Sequence, residues 1–215
     1  MKSTKLALSY KEIYPNILWM SFPDRKSLSS MFLRFQEYYE SPEFSGKAFT
    51  LDEFKNWYSP NGRFTYYSDW DGFNIPSWVL DPFKEGKLDP LAQDELDFIS
   101  LFGGRDGKFY IIGTHGQEPD ALNHEIAHGL YYVEPAYKEQ VLKAVSGLKE
   151  TSRKAIFDFL AEDYAESSLE DELHAYLLDS LEILASRRIC GKDIKSVSKA
   201  INDIYLKFTE GKLVT

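Results

Sequence analysis

Two histidines four positions apart flank a glutamate in Asn-His-Glu-Ile-Ala-His, residues 123–128. Residues i and i+4 of an α-helix lie one turn apart on the same face, so His124 and His128 could bind one metal ion. Glu125 lies about 100° around the helix axis. From there it could take a proton from a water molecule activated by the metal and pass it to a leaving amine. The residue types and spacing predict a metal site with a general base, against the alternative of a chance match in an ordinary helix.

The surrounding sequence predicts a helix at this position. Pro119 suits the first turn of a helix, because proline lacks the backbone N–H that would be unpaired there. Leu122, Ile126 and Leu130 recur at helical spacing and supply an apolar side by which the helix could be buried. Lys-Phe-Tyr-Ile-Ile-Gly-Thr at residues 108–114 predicts a strand. We therefore expect the motif on a buried helix that follows a strand by a short loop.

Residues 124–128 resemble the His-Glu-x-x-His signature of the zincin metallopeptidases. The resemblance covers about residues 108–185, and no named family is recognised in residues 1–107. It implies a zincin-like domain, a Zn²⁺ ion, one helix that carries two ligands, and Glu125 as general base. It also implies that the strand before the helix pairs with the extended backbone of a polypeptide substrate.

A catalytic zinc ion usually takes three protein ligands and a water molecule, so a third ligand has to be found. The metzincin pattern has glycine three residues and histidine six residues after the second histidine, where this chain has Tyr131 and Glu134. Tyrosine does not readily make the sharp turn that glycine allows. Glu134 stays open as a ligand, because Pro135 breaks the helix directly after it.

In several gluzincin-like families the third ligand is a glutamate on a second helix, with an alanine three residues later. Glu172 with Ala175 and Glu162 with Ala165 have this spacing, which puts both residues on one face and lets two helices approach closely. Glu172 is the predicted ligand. It lies among apolar residues of a helix predicted over 168–187, where an unpaired carboxylate would be costly. The remaining candidates are Glu134, Glu162, Glu166, Glu170 and His174.

Two further roles at the predicted metal site are the orientation of a ligand histidine and the stabilisation of the oxyanion. Thermolysin-like enzymes have an aspartate four residues after the ligand glutamate, which orients a zinc-binding histidine, but this chain has Tyr176 there. Peptide hydrolysis also needs a donor for the developing oxyanion. Tyr164 resembles in placement the tyrosine of toxin-type gluzincins and is predicted for that role, with His174 and Tyr176 as alternatives. His115 is expected to be an ordinary loop histidine, although it could contact substrate.

The order of the elements predicts an α+β fold, mostly helical with a small mixed sheet. Residues 1–107 are predicted to form an aromatic-rich N-terminal lobe and residues 108–215 a helical zinc-binding lobe, together making one compact unit. Sixteen of the 33 aromatic residues lie between Phe32 and Phe83. That concentration favours a small aromatic core over exposed substrate-binding pockets. Other helices are predicted over residues 27–40, 50–58, 89–104, 135–148 and 151–164, with Asp193 capping a last one.

Composition limits the classes of partner. The net charge of −9 disfavours nucleic acid, whose phosphates would be repelled, and suits a neutral or cationic polypeptide. No apolar stretch approaches the ~20 residues of a membrane helix, and residues 1–16 lack a signal-peptide pattern. Cys190 is the only cysteine, so no internal disulfide can form. These features predict a cytoplasmic protein without a membrane partner. Export by a non-standard route and the oligomeric state stay open.

The predicted function is that of a gluzincin-type zinc metallopeptidase. Zn²⁺ would be held by His124, His128 and Glu172, with Glu125 as general base and Tyr164 at the oxyanion. One alternative is a zinc-dependent hydrolase of a non-peptide amide, which could use the same chemistry. Another is a non-catalytic binding or regulatory protein with this fold. Glu125 speaks against the second alternative, because a structural metal site needs no base.

Overall fold

A computed structural model of the chain describes residues 8–59, 61–116 and 119–210, with the backbone alone at 119–121. The first seven residues, part of the stretch without a signal-peptide pattern, lie outside these ranges. The strands are β1 (Lys11–Tyr14), β2 (Ile17–Phe22), β3 (Gly72–Pro76) and β4 (Tyr110–His115). The helices of the first half are α1 (Arg25–Glu40), α2 (Leu51–Tyr58), α3 (Tyr66–Asp69), α4 (Leu80–Lys84) and α5 (Gln93–Leu101). Those of the second half are α6 (Pro119–Val133), α7 (Pro135–Val145), α8 (Glu150–Leu160), α9 (Leu169–Asp179), α10 (Leu181–Ser186) and α11 (Lys192–Phe208).

The four strands form one mixed sheet in the order β1-β2-β4-β3, which confirms the predicted α+β fold. β2 and β4 are parallel, and the two outer pairs are antiparallel. β4 is buried along nearly its whole length, as expected for a central strand with both faces covered. The sheet therefore joins strands from the first 107 residues to a strand that lies after residue 108.

The sheet separates two hydrophobic cores. On one face Ile17, Tyr110 and Ile112 pack with side chains of α6, α7, α9 and α11. On the other face Leu18 and Ile111 pack with side chains of α1, α2 and α5. This alternation follows from the two-residue period of a strand. The motif helix thus lies on one face of the sheet, and the N-terminal helices lie on the other.

The aromatic cluster of the first half is a core, as predicted. Of the aromatic residues between Phe32 and Phe83, all except Trp57 and Trp78 belong to the second hydrophobic core or pack against it. Phe32 and Phe35 of α1 are fully buried, and both contact the ring of Phe98 on α5. These aromatic side chains therefore pack α1 against α5 within the second hydrophobic core.

Three helix boundaries differ from the sequence prediction. The helix predicted over 168–187 is divided, because Ser180 has φ −110° and ψ 28°, outside the α region, between α9 and α10. The helix predicted from Asp89 begins only at Gln93, where the Glu95 carboxylate accepts a hydrogen bond from the backbone N–H of Ala92 (2.7 Å). α8 ends at Leu160, so Tyr164 lies in the connection to α9.

The ends of the chain hold two further differences. α11 starts after Gly191, and Asp193 does not cap it. The Asp193 carboxylate instead accepts a hydrogen bond from the backbone N–H of Lys149 (3.0 Å), just before α8. β1 and β2 were not predicted, although the apolar run of Ile17–Phe22 follows a turn at Asn16 with positive φ.

Within the described ranges, no helix combines the length and the apolar character needed to cross a membrane.

Candidate metal centre

The structure brings together His124, His128 and Glu172. One ligand atom from each residue can be chosen so that all three lie within 4.8 Å of one another. Nε2 of His128 is 3.6 Å from Oε1 of Glu172, and the two imidazole centroids are 5.0 Å apart. His128 is 1% exposed and Glu172 is 2% exposed, whereas His124 is partly exposed. Two imidazoles and one carboxylate therefore converge at the edge of a buried region.

The packing of α6 fixes the two histidines. Leu122, Ile126 and Leu130 are buried in the first hydrophobic core, as predicted, and His128 on the other side of the helix contacts Asp171 and Glu172 of α9. Gly129 lies against Ile17 of β2, where a Cβ atom would overlap the isoleucine side chain. The glycine therefore allows α6 to approach the sheet closely directly after His128.

The packing of α9 fixes the glutamate. Leu169, Leu173 and Leu177 are buried in the same core, and α9 packs against α6. Ala175, three residues after Glu172, is fully buried. The apolar pattern that predicted burial of Glu172 is thus the pattern that holds this carboxylate beside the two imidazoles.

Each histidine of the pair is oriented by a carboxylate. Nδ1 of His124 lies 3.0 Å from Oδ1 of Asp179, and Nδ1 of His128 lies 2.9 Å from Oδ1 of Asp171. An Nδ1–H that donates to a carboxylate leaves the lone pair of a neutral imidazole on Nε2. In each ring, Nε2 is therefore the nitrogen available for a ligand.

The orphaned atoms of this site fit a metal ion. Nε2 of His128 and Oε2 of Glu172 are buried without a hydrogen-bond partner among the described residues. Burial, followed by the negative charge of Glu40, raises the pKa of Glu172 well above its usual value. A buried carboxylate in such surroundings is costly unless a cation accompanies it. Two imidazoles and a carboxylate are a ligand set that suits zinc.

Asp171 and Asp179, which orient the two histidines, do not occupy the position where thermolysin-like enzymes have their orienting aspartate. The position four residues after Glu172 is Tyr176, whose ring centroid lies 5.9 Å from that of His124 without replacing the carboxylate contact. Asp171 precedes Glu172 directly, and Asp179 follows it by seven residues, two turns along the same helix. Sequence reasoning missed both, although the i, i+7 spacing of Glu172 and Asp179 was a usable signal.

Asp171 and Asp179 are held in their charged forms. Burial would raise the pKa of Asp171, but the charge on His128 and hydrogen bonds from His128 and His174 outweigh it and lower that pKa. Burial would also raise the pKa of Asp179, and the contacts with His124 lower it in the same way. Each aspartate therefore presents a negative charge to the ring that it orients.

Glu125 points towards β3 and is 6% exposed. Its Oε2 accepts a hydrogen bond from Nδ2 of Asn74, and Oδ1 of Asn74 accepts one from the hydroxyl of Tyr110. Burial raises the pKa of Glu125, while charge on His124 and His128 and the Asn74 hydrogen bond act in the opposite direction. The carboxylate thus lies beside both imidazoles, with one oxygen fixed by an amide whose own orientation is fixed.

The backbone of β3 is also close to this carboxylate. A Cβ atom at Gly72 would overlap Oε1 of Glu125. A residue with a side chain at this position would therefore have to displace the carboxylate or the strand. Neither Gly72 nor Asn74 carried a recognisable signal in the sequence, because each reaches α6 only through the fold.

Tyr164 lies at the site, and Tyr176 lies beside it. The two hydroxyl oxygens are 3.5 Å apart. A hydrogen bond from Tyr164 acts to lower the pKa of Glu172. Burial, followed by the charge of Glu172, raises the pKa of Tyr164, so its hydroxyl stays protonated and can donate. The next backbone N–H, that of Ala165, donates to the carbonyl of Glu40 (2.8 Å) and fixes this segment against the end of α1.

The other candidate ligands lie elsewhere. Glu162 faces Arg187 at the surface (3.6 Å), and Glu170 pairs with Arg153. Glu134 lies at the start of α7, and Glu166 is exposed. His174 is fully buried on the far side of Asp171, where its ring stacks on that of Tyr131 at 4.7 Å. Of the alternatives considered for the third ligand, none belongs to the cluster found within the described residues.

His115 is part of a different cluster. It is the last residue of β4 and not a loop residue, so that expectation was wrong. Its Nε2 lies 2.8 Å from Oδ1 of Asp71, which also forms an ion pair with Arg25. The cluster borders the cleft through Asp71.

A cleft of about 580 Å³ opens onto the candidate centre. Its walls come from α1, α3, β3, α6, α9 and α10, and from the connections at 70–71 and 163–164. Glu37 and Glu40 of α1 line the same cleft as the histidines, and sequence reasoning missed both. The first half of the chain therefore contributes both α1 and β3 to the walls of the cleft.

The expected pairing of substrate with β4 does not fit this sheet. β4 is hydrogen-bonded to β2 on one side and to β3 on the other, so neither of its edges is free. β3 is the edge strand on this side, and its Gly72, Phe73 and Asn74 line the cleft. The backbone N–H of Asn74 already donates to the Gln36 side chain (3.1 Å), which covers part of that edge.

Comparison with protein-family models, with curated proteins and with solved structures found no match to this chain.

Proposed function

We propose that this protein is a zinc metallopeptidase of the gluzincin type. The observation that carries the proposal is the convergence of His124, His128 and Glu172 within 4.8 Å, with each imidazole tied through Nδ1 to a carboxylate. Histidine ligands of metals usually have such a partner on the second ring nitrogen. The combination is more specific than the spacing of the histidines alone.

The number of ligands favours a catalytic site over a structural one. Structural zinc sites usually have four protein ligands, whereas catalytic sites keep one position open. Within the described part of the chain, the cluster has three members, and it faces a cleft. Bound zinc would supply a Lewis acid and would lower the pKa of a water molecule towards ~7.

The side chains around the cluster have suitable roles in hydrolysis. Glu125 would accept a proton at Oε1, since Oε2 is occupied by Asn74, and would return it to the leaving amine. Tyr164 would donate its hydroxyl hydrogen to the oxyanion, with Tyr176 as an alternative beside it. A non-peptide amide could be hydrolysed by the same groups. We favour a polypeptide because residues 124–128 resemble the metallopeptidase signature; a cleft of about 580 Å³ has room for part of a peptide or for a small amide.

The experiment is to measure metal content and hydrolysis on the same preparation. Elemental analysis of metal-replete protein is expected to find about one zinc per chain. A peptide library analysed by mass spectrometry should then show cleavage, which Glu125→Gln should reduce by about 100-fold or more while zinc content is unchanged. Protein without a transition metal, or equal cleavage by Glu125→Gln, would refute the proposal.

A further inference from the structure

Tyr110, Asn74 and Glu125 form a chain of hydrogen bonds that runs in one direction. The hydroxyl of Tyr110 on β4 donates to Oδ1 of Asn74 on β3, and Nδ2 of Asn74 donates to Oε2 of Glu125 on α6. Tyr110 is fully buried, and Asn74 and Glu125 are 5% and 6% exposed. The proposed function gives a role to Glu125 but none to the hydroxyl of Tyr110.

The two ends of the Asn74 side chain have the same shape but opposite hydrogen-bonding character. An amide oxygen only accepts, an amide nitrogen only donates, and a carboxylate also only accepts. Rotation of the amide by a half-turn would bring Oδ1 against Oε2 of Glu125 and would take the acceptor away from the Tyr110 hydroxyl. A buried polar group that loses its partner carries its full desolvation cost. Tyr110 thus stabilises the orientation in which the amide nitrogen faces Glu125.

The sheet places Tyr110 and Asn74 on the same face. Asn74 pairs with Ile112 in the antiparallel ladder of β3 and β4, and Tyr110 lies two residues before Ile112. Residues i and i+2 of a strand point to the same face, and a diagonal neighbour at about 7–8 Å is within reach of an aromatic side chain. β4 is paired on both sides, so the hydroxyl that meets Asn74 belongs to an interior strand of the sheet.

A different element holds the backbone of Asn74. Its N–H donates to Oε1 of Gln36 on α1 (3.1 Å), and Nε2 of Gln36 donates to the Glu40 carboxylate. α1 thus fixes the strand while Tyr110 fixes the side chain. With both held, Nδ2 is fixed against Oε2 of Glu125, and Oε1 is the oxygen left for the proposed reaction.

Packing alone does not account for a tyrosine at position 110. Its ring lies in the first hydrophobic core, with its centroid 5.5 Å from that of Tyr132. A phenylalanine would fill the same space without burying a hydroxyl, which is unfavourable unless the hydroxyl is hydrogen-bonded. The hydroxyl of Tyr110 donates its one hydrogen to Asn74, so its contribution lies in that contact.

We infer that Tyr110 is a positioning residue for the proposed base: through the Asn74 amide, it holds the Glu125 carboxylate with Oε2 occupied and Oε1 available for the reaction. This inference rests on the proposed function. Tyr110 is not among the described residues that line the cleft, whereas Asn74 and Glu125 are, so it acts through another side chain.

The first test removes the hydroxyl in zinc-loaded full-length protein. With a peptide that the wild-type chain cleaves, Tyr110→Phe is expected to lower kcat by about tenfold, because the carboxylate loses its fixed position, while KM and zinc content stay unchanged. Asn74→Ala should lower kcat at least as far. Adding Tyr110→Phe to Asn74→Ala should cause no further loss, because the hydroxyl acts through the amide.

Tyr137→Phe is the matched control for the first test. It removes a buried hydroxyl from the same core, one that has no hydrogen-bond partner among the described residues. Its kcat, KM and zinc content should therefore equal those of the wild-type chain.

The second test observes the amide itself and needs no substrate. In NMR spectra of ¹⁵N-labelled, zinc-loaded protein, the side-chain signal of Asn74 is identified by its loss in Asn74→Ala. Tyr110→Phe should speed the exchange of these amide hydrogens with solvent by about two- to tenfold, the range for the loss of one hydrogen bond. Tyr137→Phe should leave the exchange rate unchanged.

The outcomes separate this inference from the proposed function. An unchanged kcat or an unchanged exchange rate in Tyr110→Phe would overturn the inference and leave the peptidase intact. Additive losses in the double variant, or loss of zinc from Tyr110→Phe, would also overturn it, because the hydroxyl would then act elsewhere than on Glu125. If the zinc-loaded wild-type chain cleaved no peptide while the exchange rate still depended on Tyr110, the peptidase would be refuted and the inferred positioning of Glu125 would be supported.

Discussion

Oδ1 of Asp171 lies 2.9 Å from Nδ1 of His128 and 3.3 Å from Nδ1 of His174. One buried carboxylate therefore holds a candidate metal ligand on α6 and is itself braced by an imidazole on its own helix. Because Asp171 directly precedes Glu172, α9 supplies both the third candidate ligand and the group that orients the second. The position of this single helix thus controls most of the geometry of the site.

Asp171→Asn is expected to weaken zinc binding by about ten- to a hundredfold, the range for the loss of a group that orients a metal ligand. The amide keeps the shape of the side chain but loses the negative charge that fixes the His128 ring. Competition with a chromophoric chelator near neutral pH measures the change. Glu166→Gln, on an exposed residue of the preceding turn, is the control. Unchanged affinity in Asp171→Asn would show that His128 does not bind the ion through Nε2.

Glu172→Ala is expected to weaken zinc binding by more than the about hundredfold upper limit for an orienting group, because it removes a ligand. Glu162→Ala and Glu134→Ala should leave the affinity unchanged, since both residues lie outside the cluster. The same chelator assay applies to all three variants. Thermal unfolding of metal-free protein checks that Glu172→Ala folds, which is expected because it removes a buried carboxyl group. If Glu162→Ala or Glu134→Ala weakened zinc binding more than Glu172→Ala did, the glutamate changed in that variant would be the third ligand instead of Glu172.

The motif helix and the place of Glu172 were predictable from the sequence for local reasons. Leu122, Ile126 and Leu130 repeat at helical spacing, and leucines surround Glu172 in the same way, so the buried sides of α6 and α9 could be predicted. Zinc binding stays a prediction. The end of α9 at Asp179 was missed, because serine is compatible with a helix interior and only the structure shows Ser180 outside the α region.

The remaining parts of the site come from distant contacts that leave no local pattern. Asn74 reaches Glu125 across 51 positions of the chain, and Tyr110 reaches Asn74 across 36. Glu40 belongs to a helix whose periodicity predicts a buried face but not that its end lines a cleft. These contacts depend on the pairing of β2, β4 and β3, and a strand order of this kind cannot be deduced from hydrophobic periodicity.

Glu37→Gln is expected to stabilise the fold above about pH 7 and to have little effect near pH 4. Burial raises the pKa of Glu37 from 4.5 to about 7, so the unfolded chain releases this proton first and stability falls as pH rises between those values. At about 1.4 kcal/mol per pKa unit, the rise from 4.5 to about 7 corresponds to at most about 3.5 kcal/mol, and partial exposure of the carboxyl group makes the difference smaller. Urea unfolding at several pH values measures it, with Glu139→Gln, on an exposed residue of α7, as control. A pH-independent difference would contradict the burial of this carboxyl group.

Gly72→Ala is expected to reduce peptide cleavage by about tenfold or more while zinc content stays at the wild-type level. The added Cβ would overlap Oε1 of Glu125, whose other oxygen is held by Asn74, so the carboxylate has to leave its position beside the imidazoles. The candidate metal ligands His124, His128 and Glu172 are not among the atoms that this Cβ would meet, so zinc content should be unaffected. Gly104→Ala is the matched control, because a Cβ atom there meets no other atom within 4 Å. Full activity in Gly72→Ala would mean that Glu125 acts from a position other than the one it has against β3. Loss of zinc together with activity would mean that the strand, and not the carboxylate alone, had moved.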